Sequence, residues 1–156
     1  MQSPAPRAEL LMALATFAQT LQDTLTQLDL DWQQRPLPDE WSLTEVLCHL
    51  RDVEREVHHI RFRAILTQDV PFMPGAVTDE WVQLRNYAAQ DGPEALNSFL
   101  IARQKNILLL TELEEEAWQR YGRHAFFGPT TLHELVDFMT KHDAAHLEQI
   151  QKLMAA

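Results

Sequence analysis

A single cysteine, only four glycines, few basic residues and no apolar run approaching a membrane span set the first limits on this chain. With Cys48 alone, neither an internal disulfide nor a CxxC metal or redox site can form. Four glycines are too few for the tight turns of an all-β fold, and the eight prolines fall mostly between periodic segments. The longest apolar runs stop far short of the roughly 20 residues that cross a bilayer, and Met1 to Glu9 lacks the apolar core of a signal peptide. The expectation is a soluble cytoplasmic protein with no membrane partner. Thirteen basic residues against 23 acidic ones leave a net charge of −10 with no local basic patch, which argues against nucleic acid as a partner. Neither an internal repeat nor a low-complexity stretch appears.

What is present is helical periodicity. At 156 residues and 46% hydrophobic content the chain suits one domain, 1–156, with a substantial core. Four helices are expected. The first runs from Arg7 to Leu28, with Leu10, Leu14, Phe17, Leu21, Leu25 and Leu28 on one stripe. The second opens at a capping box, Ser42 with Glu45, flanked by a Trp41 and Val46 staple, and continues to about Thr67. Its stripe is Leu43, Val46, Leu50, Val53, Val57, Ile60 and Ala64, with His49 at the margin. The third runs from Gly92 and Pro93 to Trp118, burying Leu96, Phe99, Leu100, Ile107, Leu110 and Ala117. The fourth starts at Thr130 or Thr131, where Thr131 and Glu134 offer a second capping box.

Two histidines stand inside the last stripe. Leu132, Leu135, Met139, His142, His146, Ile150 and Leu153 follow steps of three and four, so both imidazoles share the core-facing side. Residues four apart project about 40° apart and one turn along, which lets both rings reach one ion while His49 completes a triangular face. The long link from Gln68 to Asp91, with a short helix around Asp79 to Ala89, favours an all-α four-helix bundle crossing over between helices two and three, up-down-down-up. In that topology helices two and four are antiparallel and His49 meets His146 at similar height; an up-down-up-down bundle separates His49 from His142 by more than a turn. Three neutral histidine nitrogens suit zinc, nickel or iron(II) and leave a position open for a guest. The competing reading is a set of buried structural histidines.

The other polar residues divide into surface and core. His58, His59, His124 and His133 project outward or fall in loops and are expected in solvent. Leu147 after His146 and Asp143 after His142 exclude the HExxH pattern of zinc proteases. Cys48 projects away from the apolar stripe as an ordinary small residue. Arg103 and Glu114 both project into the third helix's stripe, where a buried charge needs a partner on another helix, unless Arg103 holds an anionic substrate group. Glu112 to Glu116 reads as a solvated helix end. Asp79, Glu80 and Trp81 are candidates to cover the open metal face.

Trp41-Ser42-Leu43-Thr44-Glu45, then His49-Leu50, then His142-Asp143-Ala144-Ala145-His146-Leu147-Glu148-Gln149 resembles the DinB-like superfamily, over about Arg7 to Leu153. The resemblance implies a metal-binding four-helix bundle, usually a homodimer, whose three metal-ligating histidines match His49, His142 and His146. Relatives of known activity include metal-dependent transferases and isomerases that use low-molecular-weight thiols such as bacillithiol or mycothiol. The family's link to DNA damage concerns expression, not DNA binding. The expected activity is thus a metal-dependent thiol S-transferase acting on an electrophilic small molecule. The rivals are a metal-dependent hydrolase and a non-catalytic stress-response module that binds metal.

Overall fold

The protein, a computed structural model describing residues 3–27 and 29–155, is a mostly helical four-helix bundle. Helix α1 (Arg7–Leu25) buries Leu10, Leu14, Phe17, Leu21 and Leu25, the stripe the periodicity specifies, while Leu28 lies outside the described residues. Helix α2 (Leu43–Val53) opens at the expected box. The Ser42 N–H donates to Glu45 Oε1 at 2.9 Å and the Glu45 N–H donates to Ser42 Oγ at 3.3 Å. Every residue from Ser42 to Leu50 is buried, so this helix enters the bundle with packing on all sides.

The second rod is not a uniform helix. A π turn at Glu54–His58 separates α2 from α3 (His59–Thr67), closed by the His59 N–H donating to the Glu54 carbonyl. A π turn inserts a residue into the helical repeat and rotates everything beyond it. The buried positions therefore step from Val57 to Phe62 and Ile65, and Ile60, expected in the core, is exposed.

The long link carries strand β1 (Phe72–Met73), a 3-10 turn at Thr78–Glu80, the short helix α4 (Trp81–Leu84) and a second 3-10 turn at Tyr87–Ala89. Its fastening to α2 is polar. The Tyr87 hydroxyl donates to Asp52 at 2.6 Å, and Arg85 reaches the same carboxylate at 2.8 Å while lying 3.9 Å from the Trp81 ring.

Helix α5 (Gly92–Thr111) buries Ala95, Leu96, Phe99, Arg103, Asn106 and Leu110, leaving Leu100 and Ile107 half-buried. It stops before the expected Trp118. Glutamates at a helix C-terminus oppose its macrodipole, whereas the same residues stabilise an N-terminus. Accordingly Glu114 becomes the N-cap, and Glu115 and Glu116 the first turn, of a new helix α6 (Glu115–Trp118), which places Trp118 in the core. Glu114, expected in the apolar stripe, is exposed; the acidic run is solvated as expected.

Strands β2 (Tyr121–His124) and β3 (Gly128–Thr131) pair antiparallel, and β1 adds parallel to β2, a small sheet that helical periodicity did not anticipate. Runs of two to four residues containing Gly122, Gly128 and Pro129 carry little strand signal. Helix α7 (Leu132–Ala155) then starts at the second capping box, with Thr131 and Glu134 exchanging bonds at 3.0 Å.

Helix α5 packs on α1 and α2, and α7 packs on α1 and α2. One apolar cluster contains Phe17, Leu47, Phe99 and Ile150, and a second contains Leu14, Phe62, Leu110 and Met139. The entry to α5 is tight, because a Cβ on Gly92 would overlap the Trp32 indole and the Thr44 hydroxyl. Gly92→Ala should therefore destabilise the fold by about 1 to 3 kcal/mol through overpacking. Urea denaturation of the two proteins measures this, and an unchanged midpoint would contradict the close contact.

Candidate metal centre

His49 projects from α2 and His142 and His146 from α7, and their rings meet inside the bundle. His142 Nε2 lies 3.4 Å from His49 Nε2 and 3.1 Å from His146 Nε2. One ligand atom from each of the three rings falls within 4.8 Å of the others. Nitrogens bound to one tetrahedral ion at zinc's bond length of ~2.0–2.1 Å are separated by about 3.3 Å. The two short separations match that spacing.

The surroundings favour the ligand form of each ring. Burial, then the neighbouring His146 and His142, pushes His49 down to about 3. Burial, then His146, His58 and Arg103, pushes His142 down to about 3, and burial lowers His146 as well. All three are neutral near pH 7, the state in which imidazole binds metal. Gln149 Oε1 accepts from His146 Nδ1 at 2.8 Å, which puts the proton on Nδ1 and turns the Nε2 lone pair inward. Trp41 covers His49 at a ring separation of 5.1 Å. His49 Nδ1 is buried with no hydrogen-bond partner among the described residues. Converging lone pairs repel one another unless a proton or cation lies between them, so this donor set fits a divalent ion.

Beside the trio lies a buried ionic cluster. Arg103 forms a bidentate pair with Asp143, Nη1 to Oδ2 at 2.8 Å and Nη2 to Oδ1 at 2.9 Å. Its Nη2 also reaches Glu54 at 2.9 Å and its Nη1 donates to the Leu14 carbonyl at 3.2 Å. The guanidinium packs 5.0 Å from the Phe99 ring and 5.4 Å from that of Phe17. Burial pushes Asp143 up to about 6 against the pull of Arg103, while the two carboxylates hold Arg103 protonated despite its burial. Arg103 is 1% exposed and lines neither of the two cavities beside the histidines, and its donors are taken up as in the expected alternative of a charge pair with another helix rather than by an open anion site. Its charge is committed to Glu54 and Asp143, one residue from His142.

The four histidines expected in solvent are all engaged. His59 Nδ1 donates to Asn106 Oδ1 at 2.7 Å, and His133 Nε2 donates to the Ala5 carbonyl at 2.7 Å. His124 is 7% exposed and accepts from the Phe126 and Phe127 N–H groups. His58 stands edge-on to His142 at 5.8 Å and, like it, lines a cavity of about 350 Å³. An unbroken helix points His58 outward; the π turn changes that, and no composition signal announces it. Cys48 is fully buried, against the expectation from its projection, and burial pushes its thiol up to about 11, which disfavours a nucleophilic role. Asp79 lines a second cavity, about 610 Å³, together with Trp41, His146 and Gln149.

The DinB superfamily model matches residues 9–150. The chain is similar to the uncharacterized protein YuaE of Bacillus subtilis (strain 168), 22% identical over 131 residues, covering 77% of this chain and 81% of that protein. Its fold is similar to that of YfiT from Bacillus subtilis, with a TM-score of 0.82 at 19% identity, covering 98% of this chain and 88% of that one. YfiT is described as a probable metal-dependent hydrolase with an unusual four-helix bundle topology.

Removing the central cation leaves two buried carboxylates facing each other. Arg103→Met should cost about 3 to 5 kcal/mol of stability, and adding Glu54→Gln and Asp143→Asn should restore part of it. Chemical denaturation of the single and triple variants reads this out. A single variant within 1 kcal/mol of the parent would show that the cluster carries little.

Proposed function

The chain belongs to the DinB superfamily, and from that premise we propose that it is a metal-dependent enzyme hydrolysing a small molecule, with His49, His142 and His146 as ligands of one divalent ion. The observation that carries this reading is the convergence of three neutral imidazoles, with the His142 Nε2 separations from His49 and His146 both suited to a common ion. Zinc is the first choice of ion, with nickel or iron(II) as alternatives for the same donors. When bound, such an ion supplies Lewis acidity at a position the three rings leave open.

The chain's own groups provide the rest. Gln149 holds His146 in the ligating tautomer, and Arg103, through Asp143, positions the turn that bears His142. Asp79 shares a cavity wall with His146, and its charge acts on that ring, which makes its carboxylate our choice for the group that accepts a proton from the attacking water. The likeness to YfiT supports hydrolysis. A thiol S-transferase is the second reading, favoured by two separate cavities, one at His142 and one at His146, that have room for two guests. A parallel arrangement of the α2–α3 rod and α5, the second and third helices expected from the sequence, is part of the proposal. It is supported by contacts that advance together along both, from Thr44 beside Gly92 to Glu54 and His59 beside Asn106. So is one domain, and the homodimer that the family likeness implies.

Elemental analysis of the purified parent should find about one ion per chain, and His49→Ala, His142→Ala and His146→Ala should each lower metal affinity by at least ~100-fold, as removal of a direct ligand exceeds the 10–100-fold cost of losing an outer partner. Full occupancy in all three would remove the assignment. A screen of esters and amides, with and without added thiols and an electrophile such as 1-chloro-2,4-dinitrobenzene, separates the reactions. Strictly thiol-dependent turnover would install the transferase, and tight metal without turnover a binding module. For a hydrolytic substrate, Asp79→Asn should lower kcat by about 100-fold or more with metal content unchanged; an unchanged kcat would exclude Asp79 as the base.

A further inference from the structure

The wall of the 350 Å³ cavity has a composition unlike the rest of the chain. The protein as a whole carries 23 acidic residues against 13 basic ones, yet among the described residues no carboxylate lines this cavity, whereas Arg61, Lys141, His58 and His124 do. Its remaining wall is largely apolar, with Val57, Phe62, Leu135, Phe138 and Met139 prominent.

Arg61 is the telling residue. Among the described residues it has no carboxylate partner, which is also true of Arg7, Arg55, Arg63, Arg120 and Arg123, but of these unpaired arginines Arg61 is the one that lines this cavity, whereas Arg35, Arg51, Arg85 and Arg103 are paired. One Nη2 bond to the Pro74 carbonyl at 3.0 Å anchors it, leaving most of its five donors unused. Burial alone lowers its affinity for a proton, as expected of a half-desolvated cation lacking a counter-ion. His124, with Nδ1 occupied by two backbone N–H groups, keeps its proton on Nε2 and so adds a donor. Lys141 adds positive charge while pairing with Asp137 at 2.8 Å. A guanidinium with free parallel donors is matched to a planar oxoanion.

We propose that this cavity receives a substrate with an apolar, ring-sized body and an anionic end group such as a carboxylate, and that Arg61 is its receptor, with His142, which belongs both to the cavity wall and to the histidine trio, setting the bound molecule beside the metal centre. The proposal rests on the metal-dependent reading for its link to catalysis, but the anion recognition stands on Arg61 and does not need the ion. A volume of about 350 Å³ lies near the lower end of the ~300–1,000 Å³ range of small-molecule sites, which suits a single-ring compound.

The test is calorimetric titration of the full chain, both metal-loaded and chelator-treated, with 3-phenylpropanoate, 3-phenylpropanamide and 3-phenylpropylamine. The acid should bind at least about tenfold more tightly than the amide in both preparations, and the amine most weakly. Arg61→Met should abolish the preference, and Arg61→Lys should retain part of it, with far-UV circular dichroism verifying the fold of each. Equal binding of acid and amide, preference for the amine, or a preference that survives in Arg61→Met would overturn the proposal. So would a preference seen only in the metal-loaded protein and unaffected at Arg61, since the ion would then be the anion's receptor. If chelator-treated and loaded protein both discriminate while the histidine variants hold metal like the parent, the metal reading falls and the anion site stands. Loss of metal from the histidine variants, with no discrimination in either preparation, removes the anion site and leaves the metal centre in place.

Discussion

One guanidinium reaches all four rods of the bundle. Arg103 belongs to α5, donates to the Leu14 carbonyl of α1, pairs with Glu54 in the π turn that follows α2, and grips Asp143 of α7 with both arms. A charge taken this far out of water is tolerated only with partners of good geometry, because the desolvation of each ion costs several kcal/mol. That requirement restricts how the helices can slide or rotate against one another. An apolar layer of similar volume accepts many registers, whereas a bidentate carboxylate pair accepts few. The aromatic rings of Phe17 and Phe99 flank the same guanidinium and close it off from water.

This constraint has its consequence at the histidines. Asp143 follows His142 in sequence, so fixing the carboxylate fixes the turn of α7 that carries the ring. Glu54 lies five residues beyond His49, so the same cation also holds the rod that supplies the third imidazole. The geometry that brings Nε2 atoms within 3.1 and 3.4 Å of each other thus depends on a charge cluster that contributes no donor to the site. Around it, Gln149 fixes one tautomer and Trp41 covers one ring, so the first layer of nitrogen atoms is supported by a second of hydrogen bonds and aromatic packing.

The π turn performs the complementary task. By adding a residue to the repeat, it brings His58 to the wall of the cavity at His142 and moves the buried face of the rod onto Phe62 and Ile65. Arg61, in the next turn, lines that cavity as well. A regular helix would have kept the stripe running through Ile60 and Ala64 and left these polar groups elsewhere. π turns recur at functional sites because they re-aim side chains without breaking the rod. Here the re-aimed residues are cationic or proton-donating, in a chain whose net charge is −10.

The helices, their starts and the trio of rings are legible in the sequence because each rests on local spacing. The stripe of α1 and both capping boxes follow from residues three and four apart, and the same rule puts His142 and His146 on one face. Matching His49 to them rested on the expected crossover topology, and then on the family likeness, because nothing local ties residue 49 to residue 146. What spacing cannot convey is decided by contacts between distant segments. The split of the third helix at its glutamates, the small sheet joining Phe72 to Arg123, and the burial of Cys48 all depend on partners elsewhere in the chain. So do the inward turn of His58 and the sealing of Arg103 between two carboxylates. Periodicity reports which side of one helix is apolar; only packing determines which charge meets which, and how far a π turn rotates the residues after it.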